Sequence, residues 1–174
     1  MDSVRHELLL RIGAVGIGIG IILPFALSAI YRVPADKIYT LIAATFVLEY
    51  GAAALGAGIG LGPGPVVLVV STVALGVNIL FFGFFDSLAA ESERVRRFLE
   101  RTRTRAGRSR ILTKYGIYGL PPAVCTIGFY FCPGIVWVLD WDRWRAIVFI
   151  MAGYLVAAVI TYYAAAGALR LIGM

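Results

Sequence analysis

Long apolar runs separated by short polar breaks dominate the pattern of this chain. The first run covers residues 8–31 and contains one charged side chain, Arg11. After a polar break at residues 32–37, residues 38–85 carry a single charged side chain, Glu49. A helix needs about 20 apolar residues to cross a hydrocarbon core of about 30 Å. The pattern predicts one membrane helix over 8–31 and enough apolar chain for two more over 38–85.

A break rich in proline and glycine divides residues 38–85. The run Gly62-Pro63-Gly64-Pro65 cannot continue a helix, because proline lacks the backbone donor and glycine is unfavourable in helix interiors. The two arms could be full spans or a re-entrant hairpin, since broken helices occur at membrane depth where protein or a watery cavity covers them. The sequence leaves both arrangements open.

A second broken segment follows over residues 115–139, which contain Pro121-Pro122 and Pro133-Gly134. Residues 146–169 then form a last apolar run. We predict an all-α polytopic membrane protein, a single transmembrane domain with about five apolar segments. Two of these are expected to be broken or re-entrant helical hairpins, one in each of two pseudo-repeated halves.

Composition narrows the class further. The 174 residues are 60% hydrophobic and only 15% charged, whereas soluble domains are about half apolar and about a quarter charged. Gly16, Gly18 and Gly20 offer one helix face on which another helix could approach closely, within the chain or in a homo-oligomer. A soluble globular domain is excluded.

The net charge of +6 has one location, residues 87–114, which hold nine basic and three acidic residues. A basic run between apolar segments indicates a cytoplasmic loop and attraction to anionic lipids, rather than nucleic-acid binding. We therefore expect a multi-pass protein of the cell membrane, with membrane lipids as partners and residues 87–114 in the cytoplasm. Residues 32–37 are predicted on the same side and the N-terminus on the opposite side.

Catalytic and metal-binding patterns are missing from the sequence. Cys125 and Cys132 are seven residues apart in an apolar segment without an accompanying histidine or carboxylate cluster. No zinc-protease motif or nucleophile–base set is present. We predict no cofactor, no metal and no enzyme activity.

Glu49 is the most distinctive polar residue within the apolar runs. A carboxylate inside a membrane segment costs roughly 2.5–3.5 kcal/mol on insertion scales, so such a group usually has a purpose. It could bind a proton or cation in a cavity, serve as a structural partner of a basic group such as Lys114, or lie at the membrane interface. Asn78 is a second polar group in an apolar stretch, and it could bind substrate or bond to a neighbouring helix.

The two halves contain similar short motifs. Glu49-Tyr50-Gly51 precedes the first break and Lys114-Tyr115-Gly116 opens the second broken segment. Interrupted segments in corresponding positions of two halves are the best sequence indication of a transporter site. The predicted substrate- and ion-binding residues are Glu49, Asn78, Lys114, Gly62, Pro63, Gly128 and Pro133.

These motifs resemble the family of small multidrug export proteins, distant relatives of the DedA membrane proteins. The resemblance covers residues 45–169 and rests on the run from Glu49 to Pro63, on Leu75-Gly76-Val77-Asn78 and on Lys114-Tyr115-Gly116 followed by Gly119-Leu120. It implies two re-entrant hairpins facing each other and a role in export or flipping coupled to an ion gradient. The chain departs from the family at the second hairpin turn, where Ile127, Gly128 and Phe129 replace a Pro-x-Pro-Gly turn.

The leading functional hypothesis is therefore a secondary transporter or exporter of small molecules or ions, coupled to protons or cations through Glu49. The alternative is a lipid-head-group flippase or scramblase of DedA-like type, using the arginine loop with Arg143 and Arg145. An intramembrane enzyme and a scaffold without transport are the remaining classes.

Overall fold

The computed structural model describes residues 2–91, 97 and 115–171, and every regular element in these ranges is helical. In chain order the elements are α1 (Asp2–Ile17), a π-helical turn (Gly18–Ile22), α2 (Leu23–Tyr31), α3 (Ala35–Leu48), a 3₁₀ turn (Glu49–Gly51), α4 (Ala52–Gly58), α5 (Pro63–Glu91), a 3₁₀ turn (Gly116–Gly119), α6 (Leu120–Thr126), α7 (Phe131–Leu139) and α8 (Arg143–Leu171).

Four stretches of the described chain are long and apolar enough to cross a membrane: Leu10–Tyr31, Ala35–Gly58, Pro63–Ser87 and Arg143–Leu171. These are the properties of an all-α membrane protein. The remaining predicted segment, residues 115–139, contains two separate helices, α6 with seven residues and α7 with nine. Each is far shorter than the roughly 20 residues that one crossing requires.

The helices form two compact units. The first unit contains Met1–Val15 and Asn78–Gly153, and the second contains Gly16–Val77 and Tyr154–Met174. Three of the long helical stretches contribute residues to both units, so the units are continuous with one another along the chain. The contacts that build each unit are described separately below.

A contact between glycines joins two helices of the second unit. A methyl group added at Gly76 would lie 2.5 Å from the carbonyl oxygen of Gly16 and 2.6 Å from the Cα of Gly20. The backbones of α5 and of the first helical stretch therefore touch directly, as small residues allow in membrane proteins. The π turn lies at this contact: the amide of Leu23 donates to the carbonyl of Gly18, and the following Pro24 has no donor of its own.

The Ala35–Gly58 stretch is a helical hairpin in the second unit. In a straight helix Leu41 and Gly56 would be about 22 Å apart. Instead, a methyl group at Gly56 would lie 3.2 Å from Leu41 Cδ2, and the Nζ of Lys37 donates a hydrogen bond of 2.8 Å to the carbonyl of Ile59. Helix α4 thus folds back along α3, and the end of α4 lies beside the start of α3.

The first unit brings the C-terminal half of α5 against the N-terminal half of α8. Arg143 forms a two-pronged ion pair with Asp86, in which Nη2 lies 2.8 Å from Oδ1. Eight residues away along each helix, the Nδ2 of Asn78 lies 3.8 Å from the Sδ of Met151. The two helix segments are therefore antiparallel. Helix α6 packs closely on α8, since a methyl group at Gly153 would lie 2.7 Å from the Cα of Pro121.

The start of the chain lies beside the end of α5 in this unit. A methyl group at Gly83 would lie 2.8 Å from the Cγ2 of Ile12, and the charged residues Arg11 and Asp86 line a common cavity. The part of α1 around Arg11 and the part of α5 around Asp86 therefore lie at the same end of this unit.

Candidate functional site

Glu49 occupies the tip of the α3–α4 hairpin. It is the residue that ends α3, and its backbone has φ 54° and ψ −128°, a combination that residues with a side chain rarely adopt. Its amide still donates to the carbonyl of Thr45, and its side chain is half-buried. Strain at a non-glycine residue of this kind is typical of functional sites and costs about 1–3 kcal/mol.

Small buried residues explain why the chain can turn so sharply at this point. Ala52 and Ala53 are completely buried, and Gly56 lies against Val66 of α5, where a methyl group would be only 2.6 Å from Cγ2. Tyr50 packs edge-on against Tyr154 of α8, with ring centroids 6.4 Å apart. The tip that carries Glu49 is therefore anchored to two further helices of the second unit.

Gly62 and Pro63 lie at the other end of α4, at the start of α5, and both are exposed. The seven residues of α4 separate them from Glu49 by roughly 10 Å along the helix axis. The structure does not bring these predicted site residues together. Two carbonyls of the break between α4 and α5 are instead occupied, because Tyr162 donates a hydrogen bond of 2.7 Å to Leu61 and Lys37 donates one to Ile59.

Asn78 lies in the first unit and is fully buried. Its Nδ2 is at the long distance of 3.8 Å from a sulfur atom, which is a weak acceptor. Its Oδ1 is buried and has no hydrogen-bond partner among the described residues. A buried amide with an unsatisfied oxygen costs about 1–3 kcal/mol, and such groups are found where a ligand or water binds.

Two predicted site residues, Gly128 and Pro133, lie close together in the first unit, where α6 ends and α7 begins. Gly128 has φ 104°, and its carbonyl accepts a contact of 3.4 Å from the Sγ of Cys132. Pro133 is buried near the start of α7. Lys114 and nearly all of the basic stretch lie outside the described residues. Within the described ranges no group of three or more His, Cys, Asp or Glu side chains could hold a metal ion.

A cavity of about 360 Å³ lies in the first unit between α1, α5 and α8. Its apolar wall includes Ile12, Val15, Ile79, Phe82, Trp144 and Ile147, and its charged residues are Arg11, Asp86 and Arg143. We refer to it below as the α1–α5–α8 cavity. Its volume lies at the lower end of the range of about 300–1,000 Å³ that is usual for small-molecule sites.

The three charged residues of this cavity are distant from one another in the sequence. Each charge borders a different apolar run, and the runs are far apart in sequence, so only packing reveals that they meet. One feature of the sequence could have indicated a shared site. Charges of opposite sign stand at the ends of three apolar runs, at Arg11, Asp86 and Arg143.

Comparison with protein-family models, curated proteins and solved structures finds no match to this chain.

Proposed function

We propose that this protein is a secondary transporter or exporter of small molecules or ions, coupled to a proton or cation gradient through Glu49. The carboxylate at the strained tip of a helical hairpin is the observation that carries this proposal. Ionisable groups inside membrane segments are expensive and usually mark ion or substrate pathways. Discontinuous helices supply the backbone groups with which transporters bind their ligands.

The depth of the hairpin supports a re-entrant arrangement. Helix α3 has 14 residues and rises about 21 Å, which is less than a hydrocarbon core of about 30 Å. The two ends of the hairpin are tied together by the Lys37–Ile59 hydrogen bond. In our proposal the hairpin enters the bilayer and returns on one side, so that Glu49 is held inside the membrane.

A local similarity supports two related halves. In the first half, the 3₁₀ turn at Glu49–Gly51 leads into a seven-residue helix and then a turn with Gly60 at φ 77°. In the second, the 3₁₀ turn at Gly116–Gly119 leads into a seven-residue helix and a turn with Gly128 at φ 104°. We propose that the chain belongs to the small multidrug export family, and, from the charge of residues 87–114, that this basic stretch lies on the cytoplasmic side.

The test is transport by proteoliposomes, using ethidium as a lipophilic cation and an imposed proton or sodium gradient. We expect Glu49→Gln to lower gradient-driven ethidium transport by about tenfold or more, because the amide cannot bind and release a charge. Asp36→Asn is the matched control, since Asp36 is an exposed carboxylate in the first turn of the same hairpin. Equal rates for Glu49→Gln and the parent protein would remove Glu49 from the mechanism.

A lipid-head-group flippase is the second candidate. Arg143 and Arg145 are both exposed at the start of α8, where they could gather anionic head groups. The same proteoliposomes, containing a fluorescent lipid and a membrane-impermeant quencher, measure this activity. Lipid flipping without any ion flux would reject the secondary transporter in favour of the flippase.

A further inference from the structure

The α1–α5–α8 cavity is polar at one end and apolar at the other. Arg11 precedes Ile12 and Val15 in α1, and Arg143 precedes Trp144 and Ile147 in α8, whereas Asp86 follows Ile79 and Phe82 in α5. Because α5 runs antiparallel to α8 in this unit, and because Ile12 lies beside Gly83, the three charges gather at one end. A site with a charged end and an apolar wall suits an amphiphile.

The charged end favours an anionic head group. Two arginines and one aspartate line the cavity, and Glu7 balances the charge of Arg11 beside it, so binding of the head group depends on the arginine N–H donors rather than on net charge. Arg143 uses two of its five N–H donors on Asp86, and Arg11 gives one to Glu7 at 2.6 Å. The remaining donors are suited to phosphate oxygens, since guanidinium groups bind phosphate through paired charge-assisted hydrogen bonds.

The position of the cavity indicates that the amphiphile is a lipid of the bilayer. Arg11 stands at the start of one membrane-length stretch, Arg143 at the start of another and Asp86 near the end of a third. Trp144 at the same end is 78% exposed, as expected of a tryptophan at the level of lipid head groups. The apolar wall continues from there toward the centres of the helices, where acyl chains of a bilayer lie.

We propose that the α1–α5–α8 cavity binds an anionic phospholipid of the surrounding bilayer, with one acyl chain against the apolar wall and the phosphate between Arg11 and Arg143. This lipid site does not depend on the transport activity proposed above. A lipid held there would bridge the ends of three helices, two of which are already joined by the exposed Arg143–Asp86 pair.

Trp144 provides a direct probe of the site. Trp137→Phe and Trp141→Phe together leave Trp144 as the only tryptophan. This protein is placed in phosphatidylcholine nanodiscs containing either phosphatidylglycerol or phosphatidylcholine with brominated acyl chains, which quench tryptophan on contact. We expect brominated phosphatidylglycerol to reach half-maximal quenching at a several-fold lower mole fraction than brominated phosphatidylcholine.

Arginine variants test whether the preference for phosphatidylglycerol arises at the α1–α5–α8 cavity. Arg143→Gln and Arg11→Gln should each raise the phosphatidylglycerol fraction needed for half-quenching about fivefold, the effect of one arginine on anionic lipid at a membrane surface. Arg170→Gln is the control, because Arg170 is an exposed arginine of the same helix that does not line the cavity. Val15→Phe, which fills the apolar wall, should abolish the preference while leaving every arginine in place.

Each outcome of these experiments either supports or rejects the proposed lipid site. Equal quenching by the two lipids in the parent protein would overturn the proposal. So would an equal loss in Arg170→Gln and Arg143→Gln, because the preference would then reflect surface charge alone. If Arg143→Gln fails to fold, Arg11→Gln and Val15→Phe decide the question, and an unchanged preference in both rejects the site.

Discussion

The Nζ of Lys37 donates a hydrogen bond of 2.8 Å to the carbonyl oxygen of Ile59, which lies 22 residues further along the chain. Lys37 belongs to the first turn of α3, and Ile59 directly follows the last residue of α4. The bond therefore ties the entry of the hairpin to its exit. It also satisfies a carbonyl at the end of α4, where the helix has no partner of its own to offer.

Removing this bond should loosen the hairpin. We expect Lys37→Met to lower the free energy of unfolding by about 2 kcal/mol, as for other hydrogen bonds to charged groups. Unfolding in mixed micelles with increasing dodecyl sulfate, followed by circular dichroism, measures this change. Arg32→Met is the control, because Arg32 is an exposed cation that precedes the same hairpin. Equal losses in the two variants would mean that charge at this end, rather than the bond to Ile59, stabilises the protein.

The backbone at Glu49 predicts a difference between two substitutions. Both Glu49→Gly and Glu49→Ala remove the carboxylate, but only glycine adopts φ 54° and ψ −128° without strain. We expect Glu49→Gly to be more stable than Glu49→Ala by about 1 kcal/mol in the same unfolding assay, and both to lose gradient-driven transport. If alanine proves the more stable of the two, the strained geometry at the hairpin tip is not present in the membrane.

The contact of Gly76 with Gly16 and Gly20 should not tolerate a side chain. A methyl group at Gly76 would meet backbone atoms at 2.5 Å and 2.6 Å, and backbone cannot move aside as a flexible side chain can. We expect Gly76→Ala to destabilise the protein by about 2–3 kcal/mol, at the upper end of the usual cost of overpacking. Gly64→Ala, in the first turn of the same helix with nothing within 4 Å, should have little effect. A neutral Gly76→Ala would contradict the close packing of these helices.

We expect a substitution at Asn78 to change stability and transport activity in opposite directions. Its Oδ1 is buried without a hydrogen-bond partner among the described residues, and leucine has a similar shape without polar atoms. We expect Asn78→Leu to raise the free energy of unfolding by about 1 kcal/mol, since it removes an unsatisfied group, and to lower ethidium transport, since Asn78 is a predicted substrate-binding residue. Asn78→Ala is the matched control, because it removes the same amide without the apolar replacement. A destabilised Asn78→Leu would show that the amide oxygen is satisfied in the membrane.

Some of this architecture follows directly from the order of residues. Residues 8–31 and 146–169 were predicted as membrane helices, and the structure has apolar helical stretches at Leu10–Tyr31 and Arg143–Leu171. Hydropathy can reveal such elements because burial in lipid depends on the composition of one segment by itself, and the intrahelical hydrogen bonds that lipid demands are local. The helical membrane class needs no information about packing.

The turn at Glu49 was beyond that kind of reasoning. The sequence placed its break at Gly62–Pro65, where proline and glycine stop a helix by themselves, and the structure indeed interrupts the chain there, between α4 and α5. The reversal of direction occurs earlier, at Glu49-Tyr50-Gly51, which contains no proline. It is stabilised by contacts of Gly56 with Leu41 and of Lys37 with Ile59, and those depend on how the two helices pack.

The sequence by itself determined the helical membrane class, the positions of the first and last apolar helices and the polar groups within the apolar runs, because transfer into lipid acts on each segment separately. Only the tertiary structure decided that α3 and α4 form a hairpin, that Glu49 and Gly62 lie at opposite ends of α4, and that Arg11, Asp86 and Arg143 line one cavity. These relationships join residues distant in the chain, and they arise from side-chain packing and ion pairing that no local pattern encodes.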